Sequence, residues 1–96
     1  MPYYKKTDYN LSGFEKSNRK NKMYNAILER VSDGKTVRVP FGSTQYQNYR
    51  DITGLNLYPH LIHGDSDRRR RYHARHRGYL KDGFYSSGLF SLVYLW

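Results

Sequence analysis

MYNAILERVSDGKTVRVPF, residues 23–41, alternates in a way that predicts a β-hairpin. Tyr24, Ala26 and Leu28 alternate with Asn25, Ile27 and Glu29, and further on Val37, Val39 and Phe41 share one face. A period of two is the signature of a strand with one face buried. Ser32-Asp33-Gly34-Lys35 lies between the two runs, and Asp-Gly accepts the positive φ angles of a tight hairpin turn. Pro40 carries no N–H to donate, so the second strand ends there or lies at a sheet edge. A lone hairpin is marginal in water, so something must pack on it.

Working outward, residues 1–22 read as a basic arm with Lys5, Lys6, Lys16, Arg19, Lys20 and Lys22 and no sustained periodicity. Residues 42–65 read as a connector. In it Ser43 or Thr44 can cap a short helical turn that brings Tyr46, Tyr49 and Arg50 to one side. DSDRRRRYHARHRG, residues 65–78, places six arginines among fourteen positions. Asp65, Ser66 and Asp67 suit a helix start, Arg75, His76 and Arg77 suit the negative end of the dipole, and Gly78 suits a C-cap; together they predict a helix over 66–77. At about 100° per residue, Arg68, Arg69, Arg75, His76 and Tyr79 fall within about 60° of Tyr72, while Arg70, Ala74 and Arg77 point away. This helix has no leucine stripe, so Tyr72 and its Arg and His neighbours must hold it down. In the apolar segment 86–96, Leu89, Leu92, Val93 and Trp96 keep helical spacing behind a Ser cap, with Phe90 and Tyr94 as a second pair. The expected fold is α+β: a small β-hairpin packed with a basic helix and a short C-terminal helix over 23–96, preceded by an extended arm.

Composition bounds the function. A chain of 96 residues forms one domain and buries roughly 60–65% of the surface its unfolded form exposes. Eleven tyrosines supply flat contact area with a polar tip, common at interfaces. A net charge of +9 favours polyanions: nucleic acid, anionic lipid or an acidic protein surface. The sequence has no cysteine, which removes disulfides and thiolate metal sites. The apolar run GLFSLVYLW is far shorter than the about 20 residues a membrane-spanning helix needs, though it can rest on a membrane surface or another protein.

Reactive constellations are missing from the pattern. The pairs His60/His63 and His73/His76 are each spaced three apart, but no cysteine accompanies them, the first pair lies in the connector and His73 points to the flank while His76 shares the Tyr72 face, so no metal and no cofactor is expected. No nucleophile elbow, zincin motif or phosphate-binding glycine loop occurs, so no catalytic residue and no small-molecule substrate is expected. Nucleic-acid binding has a physical motive, since Lys and Arg displace counterions from phosphates and tyrosines stack on bases. Arginine forks suit acidic protein surfaces equally well.

The order of these pieces resembles a family of short, basic, largely uncharacterised proteins encoded by large DNA viruses of the phycodnavirus and iridovirus kind and by some tailed phages. The resemblance spans roughly residues 16–96. It runs through Tyr24–Leu28, then Val39 with Phe41 and Gly42, Tyr46 with Tyr49 and Asp51, and Leu57 with Tyr58, His63 and Asp65. Arg68, Arg69, Tyr72, Arg75 and His76 follow, and Leu95-Trp96 closes it. The chain departs at Gly88-Leu89, where the family carries more aromatic residues. The resemblance implies a virus-encoded protein, and small size, charge and tyrosine content fit a minor capsid component, a clip or glue beneath or between major capsid subunits. It would reside in the virion, and in the host-cell interior during assembly. Its expected partners are major and other minor capsid proteins, with nucleic acid and a peripheral contact with an internal virion membrane left open. A nucleic-acid-binding viral protein is the alternative.

In this reading Arg68, Arg69, Tyr72, Arg75 and His76 form a structural helix face, the arginines bonding carbonyls or acids such as Asp51 and Asp65. Lys5, Lys6, Lys16, Arg19, Lys20, Lys22, Arg70, Arg71 and Arg77 face the partner. Leu89, Phe90, Leu92, Val93 and Trp96 make the hydrophobic tail contacts.

Overall fold

The computed structural model describes residues 4–96. The expected hairpin is present as β3 (Lys22–Arg30) and β4 (Thr36–Ser43), antiparallel, with Leu28 opposite Val37, Ala26 opposite Val39 and Tyr24 opposite Phe41. Gly34 takes a positive φ of 73° in the turn, and Asp33 accepts the Lys35 N–H at 3.1 Å.

The expected arm is largely a strand. Its first residues, Met1 to Tyr3, lie outside the described residues. Two of its residues form β1 (Tyr4–Lys5), and Tyr9–Lys16 forms β2, which pairs with β3 to complete a three-stranded sheet in the order β2-β3-β4. A bulge conceals the alternation. Leu11 lies opposite Leu28 and Gly13 opposite Ile27, so Ser12 is the extra residue, and its hydroxyl donates to the Ile27 carbonyl at 3.2 Å. One inserted residue reverses which side chains face inward. Leu11 and Phe14 therefore reach the same face although they stand three apart.

That face carries the core. Tyr24, Ala26 and Leu28 of β3 and Val39 and Phe41 of β4 are buried against Phe90, Leu95 and Trp96. Phe14 meets Phe41, Phe90 and Tyr94 edge-on. On the opposite face, Glu15 of β2 accepts from Asn25 of β3 and Arg38 of β4, each at 2.8 Å, which ties all three strands. The Asn25 bond, and after it Arg38, hold the Glu15 carboxyl below the usual glutamate value against the opposing effect of burial.

The connector holds no helical turn at Ser43; the Ser43 hydroxyl instead accepts from the Gln45 N–H at 3.1 Å. A 3₁₀ turn spans Pro59–Leu61. The basic helix α1 (Ser66–His76) starts as expected, with Asp65 accepting the N–H groups of Asp67 and Arg68. Gly78 does not take the left-handed conformation of a C-cap, and the chain continues as a 3₁₀ turn over Arg77–Leu80. β5 (Phe84–Tyr85) then pairs antiparallel with β1.

The tail is helical behind the Ser86 cap: α2 (Ser87–Phe90) runs into a π-helical turn over Ser91–Leu95. The wider π turn changes the inward set. Leu89, Phe90, Leu92, Leu95 and Trp96 are buried, whereas Val93 is only half-buried. Among the described residues no helix is long and apolar enough to cross a membrane.

Helix ends leave their last carbonyls without intrahelical partners, and here other elements supply them. The Arg50 side chain donates to the Val93 carbonyl at 3.2 Å, the Ile52 N–H to Tyr94 at 3.0 Å and the Arg50 N–H to Leu95 at 3.0 Å. The Arg69 Nε–H donates to the Trp96 main-chain oxygen at 2.6 Å. Connector, tail and basic helix are thereby tied at one place. The Tyr24 hydroxyl donates to Asp51 and accepts the Leu57 N–H at 3.0 Å, which secures the rest of the connector. Burial, with the Asp51 bond second, pushes its pKa up to about 12.

Gly42 takes a φ of +74°, and a Cβ there would lie 2.8 Å from Leu95 Cδ1 and 3.1 Å from Met23 Sδ. Gly42→Ala combines backbone strain with overpacking and is expected to lower stability by about 2–4 kcal/mol in urea unfolding. A loss under about 0.5 kcal/mol would show that β4 and the tail do not pack this closely.

Candidate functional site

Helix α1 divides into an inward and an outward face. On the inward side, the Tyr72 ring stacks on Trp96 with centroids 4.2 Å apart and planes 3° from parallel. His76 lies 4.3 Å from the Tyr72 ring and 6.1 Å from Tyr79. Tyr79 fills the space above Gly88, where a Cβ would fall 2.4 Å from its ring. Gly88 is thus the seat of an aromatic side chain contributed from elsewhere in the chain. Burial raises the Tyr72 pKa, with Tyr79 adding to the effect.

The expected arginine partners are corrected in part. Arg69 bonds a main-chain oxygen and lies over the Tyr49 ring at 5.2 Å, and Arg68 donates to Gln47 Oε1 at 2.9 Å. Neither guanidinium bonds the Asp51 or Asp65 side chain: Asp51 accepts from Tyr24 and Thr53, and Asp65 caps its own helix. Arg75 is exposed and does not belong to the inward face, because the covered stripe is centred toward Arg69 and His73 and Arg75 lies about 60° from Tyr72 on the opposite flank. Half-buried His73 lies inward instead.

The outward face is cationic. Arg70, Arg71, Arg75 and Arg77 are all exposed around Ala74, and Asp67 meets Arg70 at 3.4 Å in an open pair that contributes little to stability. Of the other cations expected to face a partner, Lys5, Lys16, Arg19 and Lys20 are exposed. Lys6 is half-buried beside Leu80, Leu89 and Val93, and Lys22 is half-buried in a groove. The tail residues Leu89, Phe90, Leu92 and Trp96 face the domain's own core rather than its surface.

That groove, about 290 Å³, is a feature the sequence did not single out. It lies between α1, the end of the sheet and α2. Lys22, Ser43, Tyr46, Gln47, Ser91 and Trp96 are among its lining residues, and none of the lining residues is acidic. Its parts come from distant places in the chain, so no local spacing marks them. The one visible signal was Tyr46, a large ring in a polar, Gly-bounded segment.

His63 stands where the connector meets α1. Its ring centroid is 5.1 Å from that of Trp96, and its Nδ1 accepts the Asp65 N–H at 2.8 Å. Burial lowers its pKa and nearby Arg68 lowers it further, while Asp65 opposes them. Among the described residues, no group of three His, Asp or Glu side chains is placed to hold a metal ion. No family model, curated protein or solved structure matches the chain.

Two outcomes are expected. Tyr72→Ala removes the aromatic contact and should cost about 2 kcal/mol or more, while Arg70→Ala and Arg75→Ala should each stay within about 0.5 kcal/mol; chemical denaturation distinguishes them. His63 sets a pH dependence. Its folded pKa lies below the unfolded value of about 6.5, so the unfolded chain takes up a proton first as pH falls. The His63 contribution is full above about pH 6.5 and declines below it until the folded imidazole also titrates. His63→Asn should flatten the fall in melting temperature between about pH 7 and 5, and an unchanged slope would remove His63 as its source.

Proposed function

We propose that this chain is a minor structural component of a virus particle, a fastener seated beneath or between major capsid subunits. The observation that supports this reading is the outward face of α1. Arg70, Arg71, Arg75 and Arg77 are exposed together on a helix whose other side is held by the Tyr72–Trp96 stack and the Arg69 bond. Guanidinium forks held at fixed spacing suit the carboxylates of an acidic protein surface, which they bind bidentately. So much like charge on a small domain repels itself in isolation and is relieved when an acidic neighbour covers it. Ile52 and Leu57, apolar and about half exposed on the connector at 51% and 46%, add contact area of the kind an assembly covers. The resemblance to short basic proteins of large DNA viruses points the same way.

Quantitative mass spectrometry of purified particles tests the reading. The chain should be present at a high, symmetry-related copy number and should remain after the genome is released. A variant with Arg70, Arg71, Arg75 and Arg77 all changed to Glu should fold, since none of the four is packed, yet be missing from particles. Absence of the wild-type chain from particles, or its loss along with the genome, would overturn the assignment.

A further inference from the structure

We propose that the groove beside α1 is a nucleotide seat for single-stranded nucleic acid, with a base on the Tyr46 ring and its phosphate on Lys22. The inference is independent of the capsid assignment, since it concerns a different surface.

The groove is rich in donors. Lys22 has no ion pair among the described residues, and its cross-strand partner in the β3–β4 register is Ser43, another lining residue. The Ser43 hydroxyl accepts from the Gln45 N–H and the Ser91 hydroxyl accepts from the Gly42 N–H at 3.2 Å. Each hydroxyl therefore has its proton left to donate. Gln47 is engaged by Arg68, which places a second cation at the rim. An ammonium, two hydroxyl donors and no carboxylate make a site for an anion.

The rim specifies which anion. Tyr46 is 71% exposed and makes no ring contact among the described residues. A flat, unoccupied aromatic face beside anion donors matches a base joined to a phosphate, because every base has a π-face that stacks on such a ring. A base reaches such a face only when unstacked, which favours single strands over duplex. A volume of about 290 Å³ is at the lower end of ligand pockets and suits one nucleotide.

Fluorescence polarisation with a labelled oligothymidylate tests this on the full chain. Tyr46→Ala should weaken binding roughly 5- to 100-fold, the range expected for loss of one stacked base, while Tyr46→Trp retains it. Lys22→Gln should reduce the slope of log K against log salt by about 0.7, one phosphate contact on a single strand. Heparin, which has no bases, should bind wild type and Tyr46→Ala alike. Melting temperatures of the Tyr46 variants should match wild type, as the ring is unpacked. Equal oligothymidylate binding by Tyr46→Ala would overturn the proposal. So would displacement of the oligonucleotide by polyglutamate or duplex DNA as readily as by unlabelled single strand. Particle incorporation does not depend on Tyr46, so failure here and failure of the capsid assignment are separable.

Discussion

Four main-chain oxygens at the end of the C-terminal helical segment cannot be satisfied by that segment, and the domain is assembled around them. Burying such groups unpaired costs free energy comparable to a lost hydrogen bond each. The connector answers three of them through Arg50 and Ile52, and the basic helix answers the fourth through Arg69. Those bonds put Trp96 where it can stack on Tyr72. A helix with a full complement of arginines and no leucine thereby packs on the core through one aromatic plane and one charge-assisted bond.

The same arrangement explains why so polar a chain has a surface with two characters. The sheet's inner face and the tail provide a closed apolar core, with Tyr24, Phe41, Phe90, Leu92 and Leu95 almost wholly buried. Some cations have structural duties, with Arg50 and Arg69 completing a helix end, Arg68 holding Gln47 and Arg38 holding Glu15 on the sheet, while many others are left at the surface. What remains is an outward arc of charge on α1 and, on the inner side of that helix, a groove with no carboxylate among its lining residues. The arc sits on a helix, where recognition gains from a fixed geometry, whereas the groove joins strand and helix residues to Tyr46 and Gln47 of the connector.

The hairpin and the start of α1 could be read from residues because both signals are local: alternation around Asp33-Gly34 in one case, and cap chemistry at Asp65 in the other. The strand before the hairpin could not, because the bulge at Ser12 reverses its phase and leaves a run that looks aperiodic. Half-turn errors in the tail have a similar origin. Helical spacing selected Val93, and the π turn brought Leu95 inward in its place. Arg75 was misplaced because the stripe was centred on Tyr72, whereas the fold centres it toward Arg69 and His73. Arg50 was noted beside Tyr46 and Tyr49, but its role could not be read, since its partners are carbonyls and carbonyls have no sequence. The groove shares that difficulty, being built from residues that only the folded chain brings together.

Trp96 is the one tryptophan of the chain. It is almost fully buried, lies flat against Tyr72 and has the His63 imidazole 5.1 Å away, tilted against it. Its emission is therefore a built-in optical gauge of whether the arginine helix is seated. Undocking exposes the indole to water and shifts the light it emits to longer wavelength. Imidazolium next to an indole dims it, so the same signal registers the protonation of the neighbouring ring without any added dye.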